Sequence, residues 1–572
     1  MSYFSRYFSF MRKPIIFIIC FLFFNQSFSQ SITLNRHADY YYQIDRFDIL
    51  SGQLNDTLQT ALNGMSRKSV VHFLENYLME NEETISKSDR NIIENIISLN
   101  GEYAYNGDAT QDSEYSLWDV FYDKKPDFLH YSSDKAYFVL NPIIYYQQTI
   151  ETGNLKQNLF VNTKGIEARG LLAKRISFYT CFTDNQERGP IHYQQSIRNY
   201  SAVPGYTYYK DFKQTKPGYA TDYLYAVGNV DAEVIKDMVN ISFGMDKFQI
   251  GDGYRSLFLS DFGANYTYLK LNTRFWKFNY QNLYMELTPQ YFRGADRLFP
   301  LKYATMHHLS MNIGKSLNVG LFESIIFARK DNFDIRYLNP IILYRSVEQT
   351  NGSPDNALIG LNFKLNTGMK SVLYGQVILD EFSFSHIKAN DGWWANKYGF
   401  QGGIKLADVF GLKNFLLQAE FNLARPFLYS YSDSVADYTN YNQPLAHPYG
   451  ANFVEADLIL HYQPTNKIYL TSKTFFNRQG RDSLSTISYG GNIFKDYNKR
   501  NSDYNVRMFN GFPVNVFYTN LNMSYEIKSN LFFDIGVTYR NEKSNVSFLP
   551  NWSSLQAYTG FRLNTIRKEY DF

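Results

Sequence analysis

The stretch FLLQAEFNLA at residues 415–424 alternates strictly: Phe415, Leu417, Ala419, Phe421 and Leu423 stand on one side of an extended chain, Gln418, Glu420 and Asn422 on the other. A period of two is the signature of a β-strand with one apolar and one polar face. Two further runs repeat it. Val454, Ala456, Leu458, Leu460 and Tyr462 alternate with Glu455, Asp457, His461 and Gln463, and Phe517, Thr519, Leu521, Met523, Tyr525 and Ile527 alternate with Tyr518, Asn520, Asn522, Ser524 and Glu526. Strands of this length, in a chain that stops on the aromatic Phe572, satisfy every backbone group in lipid only as a closed barrel. The expected fold is therefore all-β, a transmembrane antiparallel β-barrel of the outer-membrane kind.

The opening residues agree with export. Arg12 and Lys13 precede the apolar run at residues 15–24, which gives way to Ser27, Phe28 and Ser29. This is the pattern of a signal peptide, and the run is about half the roughly 20 residues that a spanning helix needs. The expected leader is residues 1–29, cut near Gln30. Cys20 lies inside it without the small residues of a lipoprotein site, so Cys181 is left alone and no intramolecular disulfide is available.

The composition fits a barrel with a wet interior. Mean hydropathy is −0.37, and 49 Tyr with 48 Phe raise the aromatic share to 18%, as aromatic girdles at two lipid–water interfaces require. A net charge of +3 from 57 basic and 54 acidic residues argues against nucleic acid or a polyacid as the main partner.

Residues 30–132 read differently. Helical spacing runs through residues 66–78 (Val70, Val71, Phe73, Leu74, Tyr77, Leu78) and 88–99 (Ile92, Ile93, Ile96, Ile97), with Ser66 and the pair Ser88, Asp89 as helix starts. The expectation is a small helical periplasmic segment, or a plug folded into the lumen. From residue 133 to 572 the chain reads as barrel. The strand runs are 158–167, 174–183, 239–250, 266–287, 303–313, 317–328, 357–365, 372–384, 397–406, 468–476, 531–546 and 555–566, besides the three quoted above. Their spacing implies about 18 strands, an even number. Long connections at 186–219, 430–451 and 480–513 are expected to face the cell exterior. Residues 335–349 look helical and are expected to fold inward.

Motifs with catalytic potential are weak. GDGYRSLFLSD at residues 251–261 lacks the Lys-Ser/Thr pair of a phosphate loop and reads as a tight turn. Asp380 and Glu381 are adjacent, so in a strand they point to opposite faces and cannot flank one bond. His307 and His308 fail as joint metal ligands for the same reason, and His447 has no oriented base. No catalytic, cofactor or metal residues are expected, and the chain reads as a non-enzyme. Glu323, Arg345, Glu348, Gln376, Lys405, Gln418, Glu420 and Arg425 are expected to point into the lumen and lock a filled barrel.

The best binding candidates are aromatic and amide residues in loops, because aromatic faces stack on apolar sugar faces. They are Trp393, Trp394, Tyr438, Tyr441, Asn442, Gln443, His447 and Asn452. The run NVGLFESIIFARKDNFDIRYLNPIILYRSVE, followed by GSPDNALIG, YGQVILDEF, WWANKYGFQGGIK, LLQAEFNLARPFLYSY and NQPLAHPYGANFVE, resembles gliding-motility outer-membrane proteins of the RemB type from Bacteroidota. Those are in turn similar to the Wzi capsule-assembly family. The resemblance covers about residues 137–572. It implies an 18-stranded outer-membrane barrel with a helical periplasmic part, and a role in gliding motility or in attaching capsular polysaccharide. Expected partners are outer-membrane lipid, surface polysaccharide and gliding or secretion-machinery proteins. The alternatives are a diffusion porin, or the barrel partner of a secretion or adhesin complex.

Overall fold

A computed structural model describes residues 33–572 except 57, 59–64, 115, 118–119, 215–218, 292–297, 342, 353–354, 434, 484–485, 548 and 550. The expected leader, residues 1–29, lies outside the described residues. Among them, no helix is long and apolar enough to cross a membrane, and the chain instead forms a closed antiparallel barrel of 18 strands.

The first half of the wall is β1 (Ala136–Gly153), β2 (Gln157–Leu172), β3 (Ile176–Arg188), β4 (Thr221–Ile235), β5 (Val239–Asp246), β6 (Tyr266–Phe275), β7 (Phe278–Leu287), β8 (Lys302–Ile313) and β9 (Leu317–Phe327). The second half is β10 (Asn356–Asn366), β11 (Ser371–Leu379), β12 (Tyr398–Ala407), β13 (Phe415–Ala424), β14 (Phe453–Thr465), β15 (Ile468–Arg481), β16 (Phe512–Lys528), β17 (Leu531–Ser544) and β18 (Trp552–Leu563). Each strand pairs with the next. The ring closes between β1 and β18, with Ile144 opposite Leu563 and Gly153 opposite Ser554. Closure leaves no unpaired edge, which is what lets strands face lipid.

The alternation read from the sequence sets the two faces. On β13, β14 and β16 the polar set (Glu420, Asn422, Asp457, Asn520, Asn522) is buried in the lumen, whereas Phe421, Leu458, Leu521 and Met523 are exposed outside. Residues 266–287, read as one run, are two strands joined by a turn at Trp276, whose φ of +50° is the left-handed conformation such a reversal uses. Strands β1 and β4 were not among the sequence runs. Connections 173–175, 236–238, 314–316, 466–467 and 529–530 are tight and share one end of the barrel, the short-turn end.

The helical segment closes that end. Helix α1 (Tyr41–Leu50) lies in the mouth with Tyr42 and Ile49 against Val372, Ala407, Leu416, Tyr469 and Phe532. Arg46 makes two hydrogen bonds to Asp408 (2.7 and 2.6 Å) and one to Asp89 (2.7 Å), while Asp48 and Asp45 each meet a wall lysine, Lys364 and Lys405, at 2.6 Å. Helices α2 (Arg67–Glu80) and α3 (Lys87–Ser98) pack beside it through Val70, Val71, Phe73, Ile93 and Ile96. Ser66 caps α2 by accepting the Ser69 N–H. The cap of α3 is Ser86, not Ser88: its side chain accepts the Asp89 N–H, which places the helix start two residues earlier than the sequence reading.

The other end is closed by its own connections. Residues 251–261 are not a tight turn but the tip of the β5–β6 connection folded into the lumen. Phe258 stacks on Phe322 of the wall (4.5 Å, 3°), and Leu257, Phe258 and Leu259 are fully buried. Residues 430–451, expected on the exterior, also turn inward and complete this core with Tyr438, Leu445 and Ala446. After β18 the chain runs back into the lumen rather than ending in the wall. Phe572 packs on His192 of helix α4 (Ile191–Tyr200) and on Phe262.

Residues 335–349 do not narrow the lumen. Tyr337 and Tyr344 pack against Tyr303, Ile325 and Phe327, which lie on the outer face of β8 and β9, opposite Met306 and Phe322 of the plug core. Glu323 accordingly points outward, and Arg345 and Glu348 sit with it outside the barrel, a correction forced by strand parity. Gln376, Lys405, Gln418 and Glu420 do point inward. Arg425 sits at the end of β13, donating to Val506 O at 2.7 Å.

Candidate functional site

A loop folded into a barrel has no ladder for its backbone groups, so side chains must satisfy them. Several residues expected to bind sugar do this instead. Asn442 Nδ2 donates to Tyr200 O (2.7 Å) and Tyr291 O (2.8 Å), and its Oδ1 accepts the Tyr291 N–H. Gln443 bridges the Gly205 N–H and Tyr206 O, both at 2.7 Å. Asn452 does the same for Gly480 O, Asn510 O and the Phe509 N–H. Tyr438 is fully buried and donates to Phe258 O at 2.5 Å. His447 is also fully buried and hydrogen-bonds the Glu455 carboxylate at 2.6 Å. These five side chains hold the plug together and have no face free for a ligand. Tyr441 is half-buried, edge-on to Tyr291 and Phe299.

The plug is fastened to the wall by an equally dense set. Glu420 accepts the N–H groups of Tyr254 (2.7 Å) and Arg255 (3.0 Å) and the Tyr374 hydroxyl (2.7 Å). Gln376 bridges Ile250 O and the Leu257 N–H, both at 2.8 Å. Lys302 binds Asp437 at 2.7 Å with both groups at most 1% exposed. The C-terminal tail adds ion pairs from Lys568 to Glu187 and from Lys473 to Glu569. Between the tail, the plug and residues 33–40 that precede α1, a cavity of about 440 Å³ remains. Among the described residues, no cluster of His, Cys, Asp and Glu is arranged to hold a metal ion.

Trp393 and Trp394 stand apart from this interior. They follow a short helix, α6 (Phe384–Ala389), in the β11–β12 connection, and both are half-exposed. The Asp391 carboxylate accepts the Trp393 N–H (3.0 Å) and bonds His386 Nδ1 (2.6 Å), and the His386 ring stacks on Trp393 at 4.4 Å. Trp394 packs on Tyr497 at 4.9 Å, and the Arg500 guanidinium lies 4.1 Å above its ring. Three backbone bonds dock this loop on the β15–β16 connection, Trp394 N to Asp503 O (3.0 Å), Asn505 N to Asp391 O (2.9 Å) and Val506 N to Gly392 O (2.9 Å). Tyr431 and the exposed Tyr504 extend the ring cluster. His386, Tyr497, Arg500 and Tyr504 were not singled out from sequence, because nothing in it sets which loops meet.

At the base of this cluster Lys397 lies under Tyr497 and Trp394. Asp380 and Glu381 both approach its ammonium, at 3.7 and 3.5 Å. Adjacent residues converge there because β11 ends at Leu379 and the chain turns. Burial pushes the Asp380 carboxyl up to about 7, against the pull of Lys397. His307 and His308 do point apart: His308 bonds Asn362 inside (2.8 Å) and His307 meets Tyr344 outside.

The barrel is similar to Wzi of Escherichia coli, described as an outer-membrane protein involved in group 1 capsule assembly and a carbohydrate-binding β-barrel. The TM-score is 0.56 at 11% identity, over 94% of this chain and 100% of that one. OccK8 (OprE) of Pseudomonas aeruginosa gives 0.41 at 8% identity over 74% of this chain and 98% of that one, and OccAB2 of Acinetobacter baumannii 0.40 at 8% over 74% and 97%. No family model matches the chain, and no curated protein matches it in sequence. At these identities the likeness establishes the fold.

Proposed function

We propose that the protein is a non-enzymatic outer-membrane barrel that binds surface polysaccharide at its long-loop end, with its short-turn end and helices in the periplasm. The observation that carries the reading is the half-exposed cluster of Trp393, Trp394, Tyr497 and Tyr504, with Arg500 and His386 among the rings. Flat aromatic faces bordered by hydrogen-bonding groups suit the apolar faces and hydroxyl rims of sugar rings. A lumen occupied by plug, tail and α1 supports attachment over the diffusion of solutes. Orientation follows from the rule that barrel turns are short on the periplasmic side and loops long outside. The support of gliding motility implied by the sequence resemblance would follow from the same attachment to a surface glycan, or from a protein partner at the same loops.

The test is glycan binding by purified protein beside the ratio of cell-bound to shed polysaccharide in the producing strain. Each lost ring costs about 1–1.5 kcal/mol, so Trp393→Ala/Trp394→Ala should weaken glycan binding roughly 30- to 150-fold. The double variant should also shed polysaccharide while the barrel remains folded. Glycan binding unchanged in the double variant would sink the reading.

A further inference from the structure

The outer wall of β7, β8 and β9 carries an unusual row. Tyr280, Tyr284, Thr305, His307 and Glu323 have the outward parity of Leu321, whereas the neighbouring wall presents Leu321, Ile359 and Leu361, each more than 40% exposed. Polar groups on a lipid-facing wall are costly unless something satisfies them.

The described residues of the connection between β9 and β10 (328–341, 343–352 and 355) lie over the outside of the barrel as a strap and satisfy Tyr280, Tyr284 and Glu323. Tyr284 donates its hydroxyl to Leu338 O (3.0 Å), Tyr280 to Pro340 O (2.6 Å) and Tyr303 to Asp331 O (2.9 Å). The Glu323 carboxylate accepts the N–H groups of Tyr344 and Arg345, both at 2.9 Å, at the start of the short helix α5 (Tyr344–Thr350). Tyr280, Tyr284, Tyr303 and Glu323 thus supply the hydrogen-bond complement of an irregular backbone. Such backbone is tolerated at membrane depth only when protein satisfies it in this way.

The exposed side of the strap carries four large apolar side chains beside the ion-paired Arg336 and Arg345. Ile335, Leu338, Ile341 and Leu343 are 75%, 41%, 85% and 71% exposed, and they continue the apolar band of Leu321, Ile359 and Leu361. Three of its cations carry carboxylate partners: Arg329 with Asp355, Arg336 with Asp334 and Arg345 with Glu348.

We propose that the strap is a lipid-docking surface, with Ile335, Leu338, Ile341 and Leu343 seated among the acyl chains of the membrane. The inference rests on the barrel spanning a membrane and is independent of the glycan reading. The test is nitroxide accessibility on the full mature chain with Cys181→Ser, reconstituted in vesicles of phosphatidylethanolamine and phosphatidylglycerol. Single labels at Ile341→Cys and Leu343→Cys are compared with a wall label, Leu321→Cys, and a loop label, Ile487→Cys. The strap labels should match Leu321→Cys, with collisions from dissolved oxygen and loss of collisions from a water-soluble nickel chelate. Nickel access equal to that of Ile487→Cys, with Leu321→Cys still in lipid, would overturn the proposal and leave the barrel reading intact. Protection from both reagents would overturn it in favour of a protein covering the strap. Glu323→Ala should raise label mobility at 341 and leave it unchanged at 321; equal mobility at 341 would overturn the clamping role given to Glu323.

Discussion

Glu420 holds the tip of the plug, and its removal should loosen that tip without opening the wall. Its carboxylate accepts the N–H groups of Tyr254 and Arg255 at 2.7 and 3.0 Å. A hydrogen bond to a charged group contributes about 1.5–3 kcal/mol net, so Glu420→Ala removes about 3–6 kcal/mol of docking. The vacated space adjoins Gln401 and Asn422, and a water entering it would return part of the loss. About 3–4 kcal/mol remains, a roughly 10²- to 10³-fold shift toward the open plug. The strand itself keeps its ladder, because residue 420 pairs through its backbone with Gly403 and Asp457. Amide hydrogen exchange read by mass spectrometry measures that opening directly. Peptides from residues 250–261 should exchange faster by that factor, with peptides from the β13 strand unchanged and Glu420→Gln intermediate. Acceleration of less than about threefold, under ~0.7 kcal/mol, would refute the claim that these bonds hold the plug.

Three further outcomes are expected. Asp437→Ala strands the fully buried Lys302 ammonium and should cost about 3–5 kcal/mol, seen as a lower melting temperature. The apolar pair Lys302→Met/Asp437→Leu should recover most of it, and failure to do so would mean that the charges matter beyond pairing. At Asp380 burial raises the folded-state pKa to about 7, above the ordinary value near 4. Its contribution is therefore fully present below about pH 4 and is lost as pH rises through about 7. Protection of the 380–397 loop, corrected for intrinsic exchange, should fall between about pH 4 and pH 7 in the wild type and stay level in Asp380→Asn; parallel pH profiles would contradict the assignment. Phe258→Ala empties a buried stack on Phe322 and should cost about 3–5 kcal/mol of plug docking, raising protease sensitivity near residue 258 while the barrel remains folded.

The barrel was legible because a strand's inward and outward sides are written in the order of its residues. Gln418, Glu420 and Asn422 could be assigned to one face from spacing alone, and the lumen is where they are found. Loops carry no such period. Tyr438, Asn442, Gln443, His447 and Asn452 have the composition of a sugar site, yet that composition also suits a backbone clamp, and their role follows from the direction in which 430–451 folds. The pair Trp393, Trp394 was visible as a platform, but its partners Tyr497 and Arg500 come from a distant loop brought alongside by the circular strand order. Glu323 was misplaced for a related reason: spacing gave its strand two faces, but a polar residue outside is sensible only once the strap covers it.

By itself the sequence determined a closed antiparallel barrel of about 18 strands, because period-two alternation is local and each strand reports its own two faces. Tertiary structure alone decided what fills and surrounds that wall. Whether residues 251–261, 430–451 and the C-terminal tail turn inward, and whether residues 328–355 lie outside, depends on pairings such as Glu420 with Tyr254 and Glu323 with Tyr344. Glu420 and Tyr254 lie 166 residues apart and meet only because the ring closes, whereas Tyr344, 21 residues after Glu323, meets it only when the connection folds back over the wall.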